Sequence, residues 1–241
     1  MPGSARAQYL KALGIEMFVP RAPEVAAASP AAAHPAPAAS VPFEPPAAGD
    51  SASVTAAWQA LKAEVMSCTR CALHATRTQG VLGVGPGRAD WLVIGEAPGA
   101  EEDRRGEPFV GAAGQLLDAM LKAIGLDRRT NVYIANILKS RPPNNRDPKP
   151  EEVAACLPYL RRQIALVQPK IMLAVGRIAA QNLLGTDAPL GRLRGQVHRF
   201  GDTPLVVTYH PAYLLRTPAD KRKAWEDLKF ARSIYQQLTE G

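Results

Sequence analysis

Four short runs of almost uninterrupted apolar residues stand out along the chain after residue 90. They cover residues 91–95, 132–136, 171–176 and 204–209. Apolar runs of five or six residues, without alternating polar positions, are typical of strands that are buried on both faces of a sheet. The pattern therefore predicts four buried strands.

Between and after these runs, apolar residues recur at helical spacing over residues 114–124, 151–167, 178–184 and 219–238, and a further helical pattern covers 56–66. Alternating strands and helices predict an α/β fold of three layers, α/β/α, around a central, mainly parallel four-stranded sheet. Ligands of such sheets bind at the carboxyl ends of the strands. We therefore expect the functional residues just after positions 95, 136 and 209.

The N-terminal quarter of the chain has a different composition. Of the 27 residues in 22–48, 19 are Ala or Pro, and residues 22–55 contain no Lys or Arg. This composition predicts a disordered linker over 22–55. Residues 1–21 contain a short amphipathic pattern that predicts a helix, either a frayed terminus that docks weakly or a peptide that binds a protein partner. The folded domain is then expected over 56–241.

Composition and charge narrow the classes of function. The 241 residues are 46% hydrophobic, and 29 Lys and Arg face 22 Asp and Glu, for a net charge of +7. The apolar fraction is high enough for a hydrophobic core. The positive net charge favours a polyanionic partner such as nucleic acid. The sequence has no apolar run of about 18 residues that would cross a membrane, and its N-terminus lacks a signal-peptide pattern. We expect a cytoplasmic monomer without membrane contact.

The segments after three of the predicted strands carry the candidate chemistry. Gly95 and Glu96 follow the first strand, where glycine permits close approach of a ligand and an acid can activate water. Asn136 follows the second, and its amide can read the edge of a pyrimidine. His210 follows the fourth, where it can stabilise developing negative charge. Each segment taken alone is also compatible with an ordinary turn or cap.

Three cysteines form the remaining candidate site. Cys68 and Cys71 make a CxxC pair, and Cys156 lies far along the chain. A zinc ribbon would need a second pair, and a thioredoxin-like motif would follow a strand rather than a helix. Three thiols that converge in space would supply most ligands of an iron–sulfur cluster.

Five segments taken together resemble the family 4 uracil-DNA glycosylases, the iron–sulfur branch of bacteria and archaea. The resemblance spans about residues 57–238 and rests on GEAPGAEED (95–103), GEPFVGAAGQLL (106–117), NILKSRPPNNRDP (136–148), EEVAACLPYL (151–160) and HPAYLLR (210–216). It implies a DNA repair enzyme that flips uracil out of DNA, hydrolyses its N-glycosidic bond and leaves an abasic site.

The resemblance also implies roles for individual residues. Phe109 would stack on the flipped base, and Asn136 would read its polar edge. Glu102 would fill the space of a thymine methyl group, so that thymine is rejected sterically. His210 would donate a hydrogen bond to the uracil oxygen as the base leaves.

The sugar side of the site and the DNA contacts follow from the same resemblance. Gly95, Glu96 and Ala97 would line the sugar. Ala97 stands where the wider superfamily often has a water-positioning Asp, so Glu96 becomes the nearest candidate for that task. The loop 212–216 would enter the minor groove, with Tyr213 or Leu214 filling the gap and Arg216 contacting DNA.

The implied cofactor is a [4Fe–4S] cluster, and here the sequence departs from the family. Three of the four ligand positions are Cys68, Cys71 and Cys156, whereas the fourth is Ser140. Three alternatives stay open: a cluster with an oxygen ligand, a labile three-cysteine cluster, or no cluster. Two rival functions also stay open: a non-catalytic module that binds damaged DNA beside the replication machinery, and a glycosylase for hypoxanthine or xanthine.

Overall fold

A computed structural model describes residues 51–240. The predicted N-terminal helix and most of the predicted linker lie outside the described residues. The first described helix, α1, covers Ser51–Met66, so residues 51–55 belong to a helix and not to the linker. Pro46 is the last proline of the predicted linker. The Ala, Ser, Val and Thr residues that follow Gly49 are all compatible with a helix.

The central sheet has five strands rather than the predicted four. Its four long strands confirm the predicted ones: β1 (Trp91–Gly95), β2 (Val132–Asn136), β3 (Ile171–Val175) and β5 (Thr203–Thr208). They are parallel, and the strand order is β2-β1-β3-β5-β4. The additional strand β4 (His198–Phe200) is antiparallel to β5 at the edge. Its three residues are too few, and too polar, to give a periodic signal.

Helices cover both faces of the sheet, which confirms the three-layer prediction. Along β1, Trp91 and Val93 belong to one apolar cluster and Leu92 and Ile94 to the other, as alternation along a strand requires. The first cluster packs against α3 (Ala112–Ala123) and α8 (Lys221–Glu240), and the second against α4 (Pro150–Val167) and α5 (Arg177–Leu184).

Shorter elements complete the domain. They are α2 (Ala100–Arg105), α6 (Leu190–Leu193), α7 (Pro211–Arg216) and three 3-10 turns at Ala72–Ala75, Pro143–Asn145 and Pro218–Asp220. Helix α1 packs on α4, where Leu61 and Val65 meet Tyr159 and Leu166. Among the helices of residues 51–240, none combines the length and apolar character needed to cross a bilayer.

Sheet register brings the predicted functional segments to one edge. Gly95 at the end of β1 lies opposite Asn136 at the end of β2. Strand β5 ends at Thr208, two residues before His210. Because these strands are parallel, the segments that follow them meet at the same edge of the sheet.

Candidate active site

A cavity of about 440 Å³ lies at the carboxyl ends of the strands, and we call it the strand-end cavity. Most of the side chains predicted from the sequence line it together: Glu96, Ala97, Glu102, Phe109, Asn136, His210, Tyr213 and Arg216. Gly95 lies directly beside the Asn136 and Phe109 side chains. A β-carbon at position 95 would come within 2.5 Å of Asn136 Oδ1 and 2.6 Å of Phe109 Cζ. Only glycine therefore permits these two side chains to approach the end of β1 so closely.

Asn136 presents an unsatisfied polar atom at the cavity. Its side chain is buried, and its Oδ1 has no hydrogen-bond partner. Its backbone carbonyl accepts a 2.7 Å hydrogen bond from Nζ of Lys139. A buried acceptor without a partner costs about 1–3 kcal/mol. The fold therefore holds this amide in readiness for a donor from a ligand.

Phe109 forms a wall of the cavity in a strained backbone conformation. Its φ angle is 55°, and its ring centroid lies 5.5 Å from that of His210. Arg128 holds the turn by donating to the carbonyl oxygens of Pro108 and Phe109. A β-carbon at Gly114 would come within 1.8 Å of the Phe109 carbonyl oxygen, so glycine at 114 is what allows this turn to pack on α3.

The Glu102 carboxylate connects two loops of the cavity. One oxygen accepts hydrogen bonds from the backbone amides of Val110 and Gly111, at 3.0 and 3.2 Å, and the other accepts from Gly99 at 3.1 Å. These bonds could not be predicted from the sequence, because the amides lie up to nine residues away. They make Glu102 a fixed part of the cavity wall.

His210 is held as a neutral ring with a defined direction. Its Nδ1 accepts a 3.1 Å hydrogen bond from the backbone amide of Ala212, which caps α7. Loss of surrounding water lowers the pKa of His210 to about 4, the charge of Arg216 adds to this effect, and Glu102 opposes it. The neutral ring therefore carries its proton on Nε2, where it can serve as a hydrogen-bond donor.

Glu96 lies beside a second carboxylate that the sequence analysis did not single out. Burial raises the pKa of Glu96 to about 7, with repulsion from Asp147 as the next cause and Arg177 acting in the opposite direction. Asp147 also lines the cavity and forms a 2.8 Å ion pair with Arg177. Its place in the segment NNRDP was visible in the sequence, but nothing local indicated that Glu96 would be its neighbour.

The residues of α7 that were predicted to contact DNA differ in their exposure. Leu214 is 1% exposed and packs in the core, whereas Leu215 is 44% exposed. The Tyr213 hydroxyl donates to Asp220 at 2.6 Å, and its ring stacks on Tyr209. Leu214 therefore belongs to the core and Tyr213 is anchored to Asp220 beside the cavity, while the DNA contact expected of either residue stays a prediction. Leu215 is the apolar side chain of α7 that faces outward.

Two basic residues in the segments next to the sheet, Lys139 and Arg194, have structural roles. Lys139 is 1% exposed and does not line the cavity, and burial lowers its pKa to about 7. Arg194 forms a 2.7 Å ion pair with the buried Asp227 and covers the ring of Tyr209. Arg216 lies at the cavity itself.

The predicted cluster ligands lie together in a second region, the cysteine corner, defined here as Cys68, Cys71, Ser140 and Cys156. Burial and repulsion from the other two cysteines raise the pKa of the Cys156 thiol, and the backbone amide of Lys139 donates to its Sγ at 3.4 Å. Arg77 donates to Ser140 Oγ at 2.8 Å and to the Cys68 carbonyl at 3.1 Å.

The donor atoms of the cysteine corner are three thiols and one hydroxyl. Within residues 51–240, no three Cys, His, Asp or Glu side chains are grouped tightly enough to hold one metal ion. A cluster has several iron atoms and spreads its thiolate ligands more widely. Three neighbouring thiols and an amide directed at sulfur fit such a group, while Ser140, whose oxygen is bound by Arg77, does not match its preference for sulfur.

Comparisons with known proteins agree with this arrangement. The sequence pattern of the "Uracil DNA glycosylase superfamily" matches residues 82–229. A type-4 uracil-DNA glycosylase of Archaeoglobus fulgidus is 48% identical over 174 residues, covering 69% of this chain and 87% of its own length. A type-4 enzyme of Thermotoga maritima is 41% identical, covering 70% and 90%. A type-5 enzyme of Thermus thermophilus is 33% identical over 54% of this chain and 68% of its own length.

Proposed function

Because the chain belongs to the uracil DNA glycosylase superfamily, we propose that it removes uracil from DNA by hydrolysing the N-glycosidic bond, which leaves an abasic site. The observation that carries this proposal is the buried, unpartnered Oδ1 of Asn136 in a cavity with an aromatic wall and a neutral histidine. Uracil is planar and carries an N–H flanked by carbonyl oxygens, so it matches each of these features.

Base recognition rests on Asn136 and Phe109. The unpartnered Oδ1 accepts from the N3–H of uracil, while the amide NH2 donates to the neighbouring carbonyl oxygen. The Phe109 ring stacks on the base. Cytosine presents an unprotonated N3 and an amino group at the same edge, so it would leave the amide without matching partners.

Rejection of thymine rests on the rigidity of Glu102. Three backbone amides bind its carboxylate, so its side chain does not move aside without breaking those hydrogen bonds. A wall fixed in this way excludes the additional methyl group of thymine sterically.

Departure of the base is assisted by His210. Cleavage of the N-glycosidic bond leaves negative charge on the uracil ring, and a neutral Nε2–H directed at a carbonyl oxygen stabilises that charge. The hydrogen bond from Ala212 to Nδ1 fixes the ring before the base enters. No rotation of the ring is then needed during the reaction.

Water is oriented by Glu96. Its carboxyl group lies in the cavity, and its pKa of about 7 suits a group that accepts a proton near neutral pH. Burial is the main cause of that high pKa, and repulsion from Asp147, which pairs with Arg177, adds to it. Lys139 does not line the cavity and its ammonium group is bonded to the Asn136 carbonyl, which favours simple hydrolysis over lyase chemistry.

The DNA around the flipped nucleotide is contacted by α7. Leu215 fills the gap left by the extruded base, in place of the Tyr213 or Leu214 expected from the sequence, and Arg216 binds a phosphate. Flipping costs a few kcal/mol, which these contacts offset together with those in the cavity.

The cysteine corner holds a [4Fe–4S] cluster through Cys68, Cys71 and Cys156. When bound, the cluster would cross-link the segment that follows α1, which carries Cys68 and Cys71, to Cys156 of α4, and hydrolysis does not use its redox chemistry. Lys139 connects this region to the cavity. Its backbone amide donates to Cys156 Sγ, and its ammonium group donates to the carbonyl oxygen of Asn136. The N-terminal segment 1–21 remains a candidate site for a protein partner.

A single-turnover assay on an oligonucleotide with one uracil tests the function. We expect alkali-sensitive breaks at uracil and none at thymine. Asn136→Ala should reduce the rate by at least about 10²-fold, because it removes the groups that read the base. Asn182→Ala is the matched control, since its amide bonds a carbonyl within α5, away from the cavity. Binding of uracil DNA without cleavage by the wild type would instead favour a non-catalytic module.

A further inference from the structure

Ser140 occupies a position unlike those of the three cysteines around it. It is 4% exposed, and its hydroxyl oxygen accepts a 2.8 Å hydrogen bond from the Arg77 guanidinium. The same guanidinium donates to the carbonyl oxygens of Met66 and Cys68 at 2.7 and 3.1 Å. The Ser140 oxygen is therefore bound by a cation that is itself fixed to the segment carrying Cys68.

The Cys156 sulfur has a contrasting environment. Its hydrogen bond comes from the neutral backbone amide of Lys139, at 3.4 Å, and no guanidinium is bonded to it among the described residues. An amide bonded to sulfur is compatible with a metal–thiolate bond, since it stabilises charge on the ligand. A guanidinium on the serine oxygen instead occupies the ligand atom and repels an approaching iron ion.

The chemistry of the two donor atoms points in the same direction. Thiolate sulfur is the soft ligand that iron–sulfur clusters select, whereas a hydroxyl is a harder and weaker donor. The serine side chain is also shorter, because its C–O bond and a bond from oxygen to iron are both shorter than their sulfur counterparts. Ser140 would have to give up Arg77 and move toward the cluster to become a ligand.

We propose that Ser140 does not bind iron, so that the cluster is held by Cys68, Cys71 and Cys156 and one iron atom has no protein ligand. This inference rests on the cluster proposed above. Position 140 is where that cluster site differs from a site with four thiolate ligands. The fourth iron takes water or a small thiolate from solution, and it is the atom lost first.

The loss is a defined reaction with a one-electron oxidant such as ferricyanide. The [4Fe–4S]²⁺ core gives up one electron and one Fe²⁺ and becomes [3Fe–4S]⁺, while ferricyanide is reduced to ferrocyanide. All four sulfides stay in the core. The three protein thiolates keep their iron atoms.

The test compares the full-length protein with Ser140→Cys and Ser140→Ala, each purified without oxygen. Iron and sulfide per chain are measured, and electron paramagnetic resonance spectra are recorded before and after one equivalent of ferricyanide. We expect wild type and Ser140→Ala to lose a quarter of their iron and to gain the [3Fe–4S]⁺ signal. Ser140→Cys should keep all its iron and show no such signal.

Two results would overturn the proposal. If wild type keeps its iron while Ser140→Ala loses it, Ser140 is a ligand. If none of the three proteins contains iron, the cluster is absent and the inference falls with it. Uracil release, measured on the same samples, then decides separately whether the glycosylase function stands. If Ser140→Cys fails to fold, the comparison of wild type with Ser140→Ala still decides whether Ser140 is a ligand of iron.

Discussion

The strand-end cavity and the cysteine corner are neighbours joined by one short segment, yet they are built in different ways. In the cavity, backbone groups fix the functional side chains: amides bind Glu102, and an amide caps His210. In the cysteine corner, short side chains from distant segments meet, and the long side chain of Arg77 connects Ser140 to the segment of Cys68. The functional side chains of the cavity are therefore held mainly by backbone groups, whereas the position of Ser140 depends on one side chain from another segment.

Replacing His210 by Ala gives the largest effect that is confined to the cavity. We expect the single-turnover rate to fall by about 10³-fold, since the donor to the leaving uracil is lost. Iron per chain should not change. Loss of iron in this variant would show that the two regions are not independent. His198→Ala serves as the matched control, because that ring bonds a carbonyl away from the cavity.

Glu96→Gln tests the cavity separately from the cysteine corner, through the dependence of the cleavage rate on pH. A carboxylate that orients water is active when ionised, so the wild-type rate should rise as the pH passes upward through about 7. His210 stays neutral above about pH 4 and should add no titration between pH 5 and 9. In Glu96→Gln we expect a rate about 10²-fold lower that no longer rises as the pH passes upward through about 7. A rise near pH 7 that persists in the variant would assign the titration to another group.

Lys139→Met tests the connection between the two regions. The Lys139 side chain supports the Asn136 carbonyl, and its backbone amide bonds Cys156. Removing the ammonium group leaves a buried carbonyl without this donor, so we expect kcat for uracil release to fall about tenfold, with a smaller change in KM. Lys170→Met is the matched control, because its ammonium pairs with Asp90 at the opposite edge of the sheet. Equal rates for both variants would contradict the positioning role.

Leu215→Ala should have the smallest effect on the rate. Unlike the variants of the cavity, it should affect only the reaction on double-stranded DNA. Because the side chain fills the gap left in a duplex, we expect a loss of severalfold on double-stranded uracil DNA and none on single strands. The matched control is Val197→Ala, which removes a similarly exposed apolar side chain near the sheet edge. Equal losses on single and double strands would remove Leu215 from the gap.

Much of the fold followed from local patterns. The apolar runs placed the four parallel strands to within one residue, and the spacing between them placed the main helices, because burial on two faces leaves a signal in consecutive residues. Strand β4 was missed, since three residues at an edge carry no such signal. Segments that follow parallel strands share one edge, so Glu96, Asn136 and His210 were expected to meet.

Sequence by itself therefore determined the layers of the domain, the edge where the chemistry lies and the residue types that line it. Only the tertiary structure decided which neighbour each side chain has: Leu215 rather than Leu214 faces outward, Asp147 lies near Glu96, and Arg77 binds Ser140 across 63 positions of sequence. The physical reason is that periodicity reports burial, which is a property of one segment. Hydrogen bonds and charge repulsion depend on distances between segments, and the packing of the core sets those distances.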